Sequence, residues 1–260
     1  MKIGNHELTQ EENTRLNQIV STFFATPCTV IAVELPTDGR NRDDKHYVLN
    51  VDGRKYVSVK RAYNNPEDVK WELFMAEMRL LLGIPHYKLE KGMDFPLPTW
   101  ANQDYVIMEW GNIDRRFPIS DPRVHPSLNE NKEKLLIQLG HVAVQNYLFA
   151  TSDRKQQHFV WDLDDKTLFS IDHEIPSTNE NEVLDYFRNE LRTRFGNNWF
   201  DNDLMRGLFL AGLHTVWSVA DYEKSKIISS YSTLGLNAHS NKFSERLARG
   251  CQPASQRILS

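Results

Sequence analysis

The sequence has little cysteine and no long apolar run, and both shortages limit the class of protein. Its 260 residues include two cysteines, Cys28 and Cys251, too few for a disulfide framework or a four-cysteine zinc site. We therefore expect reduced thiols and a cytoplasmic location. The longest apolar stretch, near residues 207–220, contains His214 and is too short to span a bilayer. Stable membrane insertion is not expected.

A strong net charge is also missing. Lysine and arginine number 31 against 35 aspartate and glutamate, which gives a net charge of −4. A dedicated nucleic-acid binder usually carries a basic face, so we predict no nucleic-acid partner. Hydrophobic residues make up 40% of the chain, and with so small a net charge this composition excludes disorder as the main state.

The spacing of apolar residues predicts a β-rich part followed by a helical part. Short runs rich in β-branched and aromatic residues indicate strands, and apolar residues three or four apart indicate helices. The predicted strands cover residues 29–35, 46–51, 55–61, 104–109, 159–163 and 168–171. The predicted helices cover residues 7–24, 66–82, 131–150, 181–195, 201–219 and 221–231.

This order predicts an α+β fold with two lobes, a small antiparallel-β N-lobe that contains one helix and a larger, mainly helical C-lobe. We expect four parts: a helical N-terminal extension (1–26), the N-lobe (27–110), the C-lobe (111–236) and a polar, weakly ordered tail (237–260).

The stretch from Tyr147 to Ile175 has the pattern that points to chemistry. Asp153 and Arg154 follow a long predicted helix, His158 comes shortly after them, and a predicted hairpin ends at Asp172. Phosphoryl transfer needs one carboxylate to orient the attacking hydroxyl and accept its proton, and a second to hold Mg²⁺ on the phosphates. A surface ion pair at Asp153 and a structural helix cap at Asp172 are the alternatives.

The predicted N-lobe supplies complementary groups. Lys60 lies in the third strand, within VSVKR, where apolar residues take alternate positions, and Glu72 lies in the helix that follows. A lysine–glutamate pair of this kind positions the α- and β-phosphates of a nucleotide. Glu77 on the same helix is the competing partner, and a solvated edge-strand lysine is the alternative for Lys60.

Two further segments fit nucleotide binding. Met108, Glu109 and Trp110 end a predicted strand and lead into the larger lobe, where a hinge would offer backbone groups to an adenine. Gly39, in the polar loop LPTDGRNRD, marks the segment expected to cover the phosphates.

The sequence resembles the phosphatidylinositol 3/4-kinase-like and HipA-like branch of the kinase superfamily in the order of its motifs. That order is a strand lysine, a helix glutamate, a hinge, D-R-x-x-x-[N/H] and I-D-H. WELFMAEMRLLLG is similar to that branch's R-E-v-A-A-y-x-L-s-x-L-L-G, which favours Glu72 over Glu77. D-R-K-x-x-H, at residues 153–158, resembles a bacterial subset. The resemblance covers about residues 27–230.

The resemblance implies a bilobal protein-kinase-like fold and an ATP-dependent phosphotransferase that uses Mg²⁺. It implies Asp153 as the catalytic base, with Arg154 supporting the catalytic loop. His158 and Asp172 are the implied metal ligands, and Lys60 the implied phosphate contact. The implied acceptor is a hydroxyl group of a protein or a small molecule. We do not expect a lipid acceptor because no polybasic cluster is present.

Three departures from that branch keep other functions open. His158 stands where asparagine is usual, and imidazole binds Mg²⁺ less well than an oxygen ligand. The sequence has no G-x-G-x-x-G, and no long activation segment follows Asp172. A pseudokinase that acts through protein contacts and a nucleotidyl transferase on the same fold are the alternatives. The oligomeric state and the identity of the acceptor are not predicted.

Overall fold

The computed structural model describes the main chain of seven ranges and the side chains of all of them except residues 110 and 180–183. The ranges are 1–3, 6–34, 45–62, 67–111, 115–149, 158–170 and 180–259. The chain divides into two units. Unit 1 comprises Met1–Ala76 and Tyr87–Arg116, and unit 2 comprises Glu77–His86 and Phe117–Ser260.

Unit 1 is built on antiparallel strands. A short ribbon pairs β1 (Lys2–Ile3) with β2 (His6–Glu7). The main sheet has five strands: β3 (Val30–Glu34), β4 (His46–Val51), β5 (Lys55–Arg61), β6 (Leu89–Met93) and β7 (Asp104–Gly111). Their spatial order is β3-β4-β5-β7-β6. Asp52 and Gly53 join β4 to β5 with φ angles of 52° and 68°, as the Asp-Gly signal in the sequence predicts.

One face of this sheet is covered by apolar side chains. Helix α1 (Gln10–Phe24) starts with a capping box in which the Glu12 N–H donates to Thr9 Oγ1 and the Thr9 N–H donates to Glu12 Oε2. The core of unit 1 joins helix and sheet, and its members include Leu16, Val20 and Phe23 of α1, Tyr47 and Leu49 of β4, Val57 and Val59 of β5, and Ile107 of β7. The residues that alternate with these core positions therefore lie on the other face of the sheet.

The strand β6 is not among the predicted strands. Its sequence, LEKGM, is polar and contains a glycine, so the usual strand signal is missing. The ring of Tyr105 in β7 lies across Gly92, and a Cβ added there would come within 2.1 Å of Tyr105 Cζ. Gly92 is needed for this packing, which a single-sequence pattern does not reveal.

A second sheet and most of the helices follow in the chain. Helix α2 (Asp68–Leu81) follows the third strand of the main sheet, as predicted. The second sheet has the order β10-β9-β8, with β8 (Arg116–Pro118), β9 (Phe159–Asp162) and β10 (Thr167–Ser170). The remaining helices are α3 (His125–Glu130), α4 (Lys132–Phe149), α5 (Glu180–Phe195), α6 (Asp203–Tyr222), α7 (Lys224–Thr233), α8 (Asn237–Ala248) and α9 (Gln252–Leu259).

The predicted α+β class is confirmed by this order, since a small antiparallel sheet with its helix precedes a mainly helical part. Within the described part of the chain, no helix is both long and apolar enough to cross a membrane.

The C-terminal residues differ from the expectation of a weakly ordered tail. Residues 237–259 contain α8 and α9. Their sequence is mostly polar, but Phe243, Leu247 and Ile258 are buried, and a few well-spaced apolar residues are enough to fix a short helix on a larger body. Arg257 of α9 also donates to both carboxylate oxygens of Asp185 in α5, at 3.0 and 2.7 Å.

Helices α4 and α6 approach closely at two glycines. A Cβ added at Gly140 would lie 2.3 Å from the carbonyl oxygen of Phe209, and one added at Gly212 would lie 2.1 Å from that of Ile137. Both contacts are with backbone, which cannot move aside as a flexible side chain can.

We expect Gly212→Ala to lower the free energy of unfolding by about 1–3 kcal/mol because the new methyl group overpacks this contact. Gly207→Ala on the same helix is the matched control. A Cβ there meets nothing within 4 Å, so this change should stabilise by about 0.5–1 kcal/mol through helix propensity. Urea unfolding measures both, and equal effects of the two variants would contradict the packing.

The Arg257–Asp185 pair gives a second prediction. Arg257→Met should increase hydrogen exchange in α9 by about two- to fivefold at neutral pH, a modest effect because the pair is partly exposed. The Arg257 guanidinium lowers the pKa of Asp185 through its hydrogen bonds and charge. The pair therefore stabilises above about pH 4 and loses its effect as the pH falls through the lowered pKa. Arg206→Met, in α6, is the control and should leave exchange in α9 unchanged.

Candidate functional site

Lys60 and Glu72 form an ion pair in unit 1. Strand alternation places Lys60 on the face of the sheet opposite the α1 core, directly across from His46 of β4 and Val106 of β7. Lys60 Nζ donates to Glu72 Oε1 at 3.2 Å, and the side chains are 19% and 10% exposed. Of the two glutamates proposed from the sequence, Glu72 therefore contacts the lysine.

The competing glutamate has a different partner. Glu77 Oε1 accepts a hydrogen bond from the Ser230 hydroxyl of α7 at 2.6 Å. Residues 72 and 77 are five apart, which separates them by about 140° around a helix of 3.6 residues per turn. Their carboxylates therefore lie on different sides of α2.

A row of polar side chains accompanies Lys60 on its face of the sheet. Ser58 is buried, and its Oγ lies 2.6 Å from His46 Nε2. Farther along the same face, Asn50 Nδ2 donates to the Tyr56 hydroxyl at 3.1 Å. The sequence analysis missed this row, although the alternation in HYVLNV and KYVSVKR contains the signal, because every second residue faces the same side.

The proposed hinge residues lie inside β7 and not at its end. Met108 pairs with Ser58 of β5 and with Leu89 of β6. The N–H of Glu109 donates to the Lys88 carbonyl oxygen at 2.9 Å, so it is already used within the sheet. Pairing with β5 continues past a bulge to Gly111, two residues beyond the predicted end of the strand. Trp110 also belongs to β7, and its side chain lies outside the described residues.

In unit 2, His158 directly precedes β9 and is buried, with 4% of its surface exposed. The hairpin of β9 and β10 is held by two groups. Asp162 Oδ1 accepts from the N–H groups of Asp164 and Asp165 at 2.8 and 3.0 Å, which shapes the turn. Gln138 Oε1 of α4 accepts from the Leu168 N–H at 2.9 Å. Asp172 follows this hairpin by two residues in the sequence.

The C-terminal end of α4, which precedes Asp153 in the sequence, is held by α8. Arg246 Nη1 donates to the Leu148 carbonyl oxygen at 3.2 Å, which satisfies one of the free carbonyl groups at a helix C-terminus. Phe243 stacks on Phe149 with ring centroids 5.5 Å apart. The sequence analysis missed this support because it treats residues 237–260 as a tail.

Several predicted site residues lie outside the described residues. Gly39, Asp153, Arg154 and Asp172 belong to this group, and their roles stay predictions. No group of three or more histidine, cysteine or acidic side chains suited to a metal ion occurs among the described residues. His158 contributes one imidazole, a poor ligand for Mg²⁺, so the proposed magnesium site depends on the carboxylate of Asp172.

Comparison with known proteins gives a structural similarity and no sequence match. The chain matches no protein-family model and no curated protein. Its structure is similar to the crystal structure of a Helicobacter pylori proinflammatory kinase, CtkA, with a TM-score of 0.48 and 12% identity. The match covers 86% of this chain and 95% of that one. At this identity, residue roles do not carry over from one chain to the other.

The burial of the Lys60–Glu72 pair predicts strong coupling between the two residues. In a double-mutant cycle of Lys60→Met and Glu72→Gln, we expect a coupling of about 1–3 kcal/mol in the free energy of unfolding. Lys91 and Asp104, also in unit 1, form a control pair at 2.7 Å with side chains 48% and 41% exposed. Lys91→Met and Asp104→Asn should couple by less than about 1 kcal/mol. Equal coupling in both cycles would contradict the assignment of Lys60–Glu72 as a partly buried pair.

Proposed function

We propose that the protein is an ATP-dependent phosphotransferase that moves the γ-phosphoryl group to a hydroxyl acceptor of a protein or a small molecule. The observation that carries the proposal is the ion pair between Lys60 of β5 and Glu72 of α2, at 3.2 Å. In phosphotransferases of the kinase type, a strand lysine held by a helix glutamate contacts the nucleotide phosphates. The motifs D-R-K-x-x-H and I-D-H at residues 153–158 and 171–173 support the same proposal.

The proposed role of Lys60 is electrostatic. Its ammonium group would donate hydrogen bonds to phosphate oxygens, while Glu72 keeps the side chain extended along one direction. Because both side chains are largely shielded from water, the charge on the lysine is weakly screened and acts strongly on a bound anion. Holding the donor before the substrate arrives avoids reorganisation at the moment of reaction.

The proposed roles of the carboxylates come from the sequence pattern. Asp153 would orient the acceptor hydroxyl and accept its proton, and Arg154 would support the segment that carries Asp153. Asp172 would be the main ligand of Mg²⁺, with His158 beside it. When bound, Mg²⁺ neutralises charge on the phosphate oxygens.

A second candidate function follows from His158. This residue is buried, and it stands where an oxygen ligand is usual. A protein that binds a nucleotide without turnover, and acts through contacts with other proteins, would have the same Lys60–Glu72 pair. Transfer of a nucleotidyl group is the third possibility kept from the sequence.

The test is intact-mass analysis and ADP release after incubation with ATP and Mg²⁺, with thermal unfolding followed on the same samples. We expect a phosphate adduct or ADP release in the wild type, a loss of about 100-fold or more in Lys60→Met, and no turnover in Asp172→Ala. Lys91→Met is the matched control on the same sheet and should react like the wild type. His158→Asn should retain or increase activity with Mg²⁺.

Other outcomes of this test point to the alternatives. A nucleotidyl adduct would support the same site residues but show that the reaction is nucleotidyl transfer. A nucleotide-dependent increase in unfolding temperature, without turnover, would favour the pseudokinase. The absence of both turnover and stabilisation would contradict the proposed function. Full activity in Asp172→Ala would contradict the assignment of Asp172 as the main metal ligand.

A further inference from the structure

Cys251 and His214 form a thiol–imidazole pair on the surface of unit 2. The Sγ atom of Cys251 lies 3.1 Å from Nδ1 of His214, within hydrogen-bonding distance for sulfur. His214 comes from α6 and is exposed, while Cys251 directly precedes α9 and is partly exposed. The pair therefore joins two helices at a place that solvent reaches.

The two residues line a pocket between α6 and α9. Its volume is about 520 Å³, within the range of small-molecule sites. Leu210 and Leu259 give it apolar walls, and Gln252 and Gln256 add amide groups. Among the described residues that line the pocket, none is aspartate, glutamate, lysine or arginine. Its chemistry therefore suits a small, uncharged molecule.

The position of Cys251 favours negative charge on its sulfur as a reaction proceeds. The Ser255 N–H donates to the Cys251 carbonyl oxygen at 3.0 Å, so Cys251 caps the N-terminus of α9. The partial positive charge at this end of a helix stabilises a thiolate. Burial nevertheless raises the pKa of the Cys251 thiol, so a base is needed to remove its proton, and His214 is in place to accept it.

We propose that Cys251 is a site of covalent thiol modification, with His214 as its base, and that the pocket accepts small, uncharged disulfides and other small electrophiles. With a disulfide, the S–H proton of Cys251 passes to His214 Nδ1 as the sulfur attacks one sulfur of the reagent. A new S–S bond forms while the bond in the reagent breaks, and the departing thiolate takes the proton from the imidazolium. Cys251 is oxidised and the departing half of the reagent is reduced.

The chain supplies an internal control for this reaction. Its other cysteine, Cys28, is buried in the core of unit 1, so it should react slowly as long as the protein is folded. His125, an exposed histidine in α3, is the matched control position for the base. This proposal does not rest on the proposed phosphotransferase function, and its test uses no nucleotide.

The experiment follows alkylation by iodoacetamide, an uncharged electrophile, with peptide mass analysis at both cysteines. We expect Cys251 to react much faster than Cys28. His214→Gln should slow the labelling of Cys251 at least about tenfold, a low value for a positioned base, while His125→Gln should react like the wild type. Unchanged labelling of Cys28 in each variant shows that the fold is intact. Equal rates at Cys251 in His214→Gln and the wild type would overturn the role of His214.

A second measurement uses bis(2-hydroxyethyl) disulfide. We expect a mixed disulfide on Cys251 of the folded protein and none on Cys251→Ser beyond the slow reaction of Cys28. The urea-unfolded chain shows that the reagent is reactive toward both thiols. An adduct on Cys251 only after unfolding would overturn the proposal that the pocket accepts such a reagent.

Discussion

The geometry of unit 1 depends on the alternation of side chains along β4 and β5. Val57 and Val59 belong to the core that includes α1, so the residues between and after them, Ser58 and Lys60, must face the other way. The register of the two strands then sets His46 opposite Lys60. A shift of one residue in this register would exchange the two faces and place a lysine in an apolar core. The burial of α1 on one face therefore fixes where the candidate phosphate contact lies.

In unit 2, helix α4 has the corresponding organising role. Gly140 lets its backbone approach α6 closely, Gln138 holds the β9–β10 hairpin, and the carbonyl of Leu148 accepts from Arg246 of α8. The contacts use different parts of one helix: the backbone at Gly140, the side chain of Gln138 and the main-chain carbonyl of Leu148. The predicted catalytic base, Asp153, follows α4 in the sequence, and the predicted metal ligand, Asp172, follows β10. These contacts therefore fix the elements that precede the proposed site residues in the sequence.

The long periodic elements are those that the sequence predicts well. Helix α4, predicted at residues 131–150, is observed at Lys132–Phe149, because its apolar residues are dense enough to define a buried helix without tertiary information. Strand β6 and helix α8 are polar along most of their length, and they are fixed by contacts from distant residues, such as Tyr105 over Gly92 and Phe149 on Phe243. The Lys60–Glu72 contact can be predicted from the order of the motifs in the sequence. The row of polar side chains that contains His46 can be predicted only when the register of β4 and β5 is known. Predictions at Asp153 and Asp172 stay predictions, since those residues lie outside the described part of the chain.

The nature of the Lys60–Glu72 contact argues for function more than for stability. Removing two charges from water costs several kcal/mol, and an apolar pair of similar size is often as stable or more stable. On the opposite face of the same strand, Val57 and Val59 are packed in the apolar core, so valines fit well into this sheet. Packing alone would therefore not select Lys60, His46 and Ser58 on the other face of this sheet, with Glu72 of α2 paired to Lys60. A lysine held by a glutamate, with hydrogen-bonding side chains on the same face, is suited to contact an anion, which supports the proposed role of Lys60 as the phosphate contact.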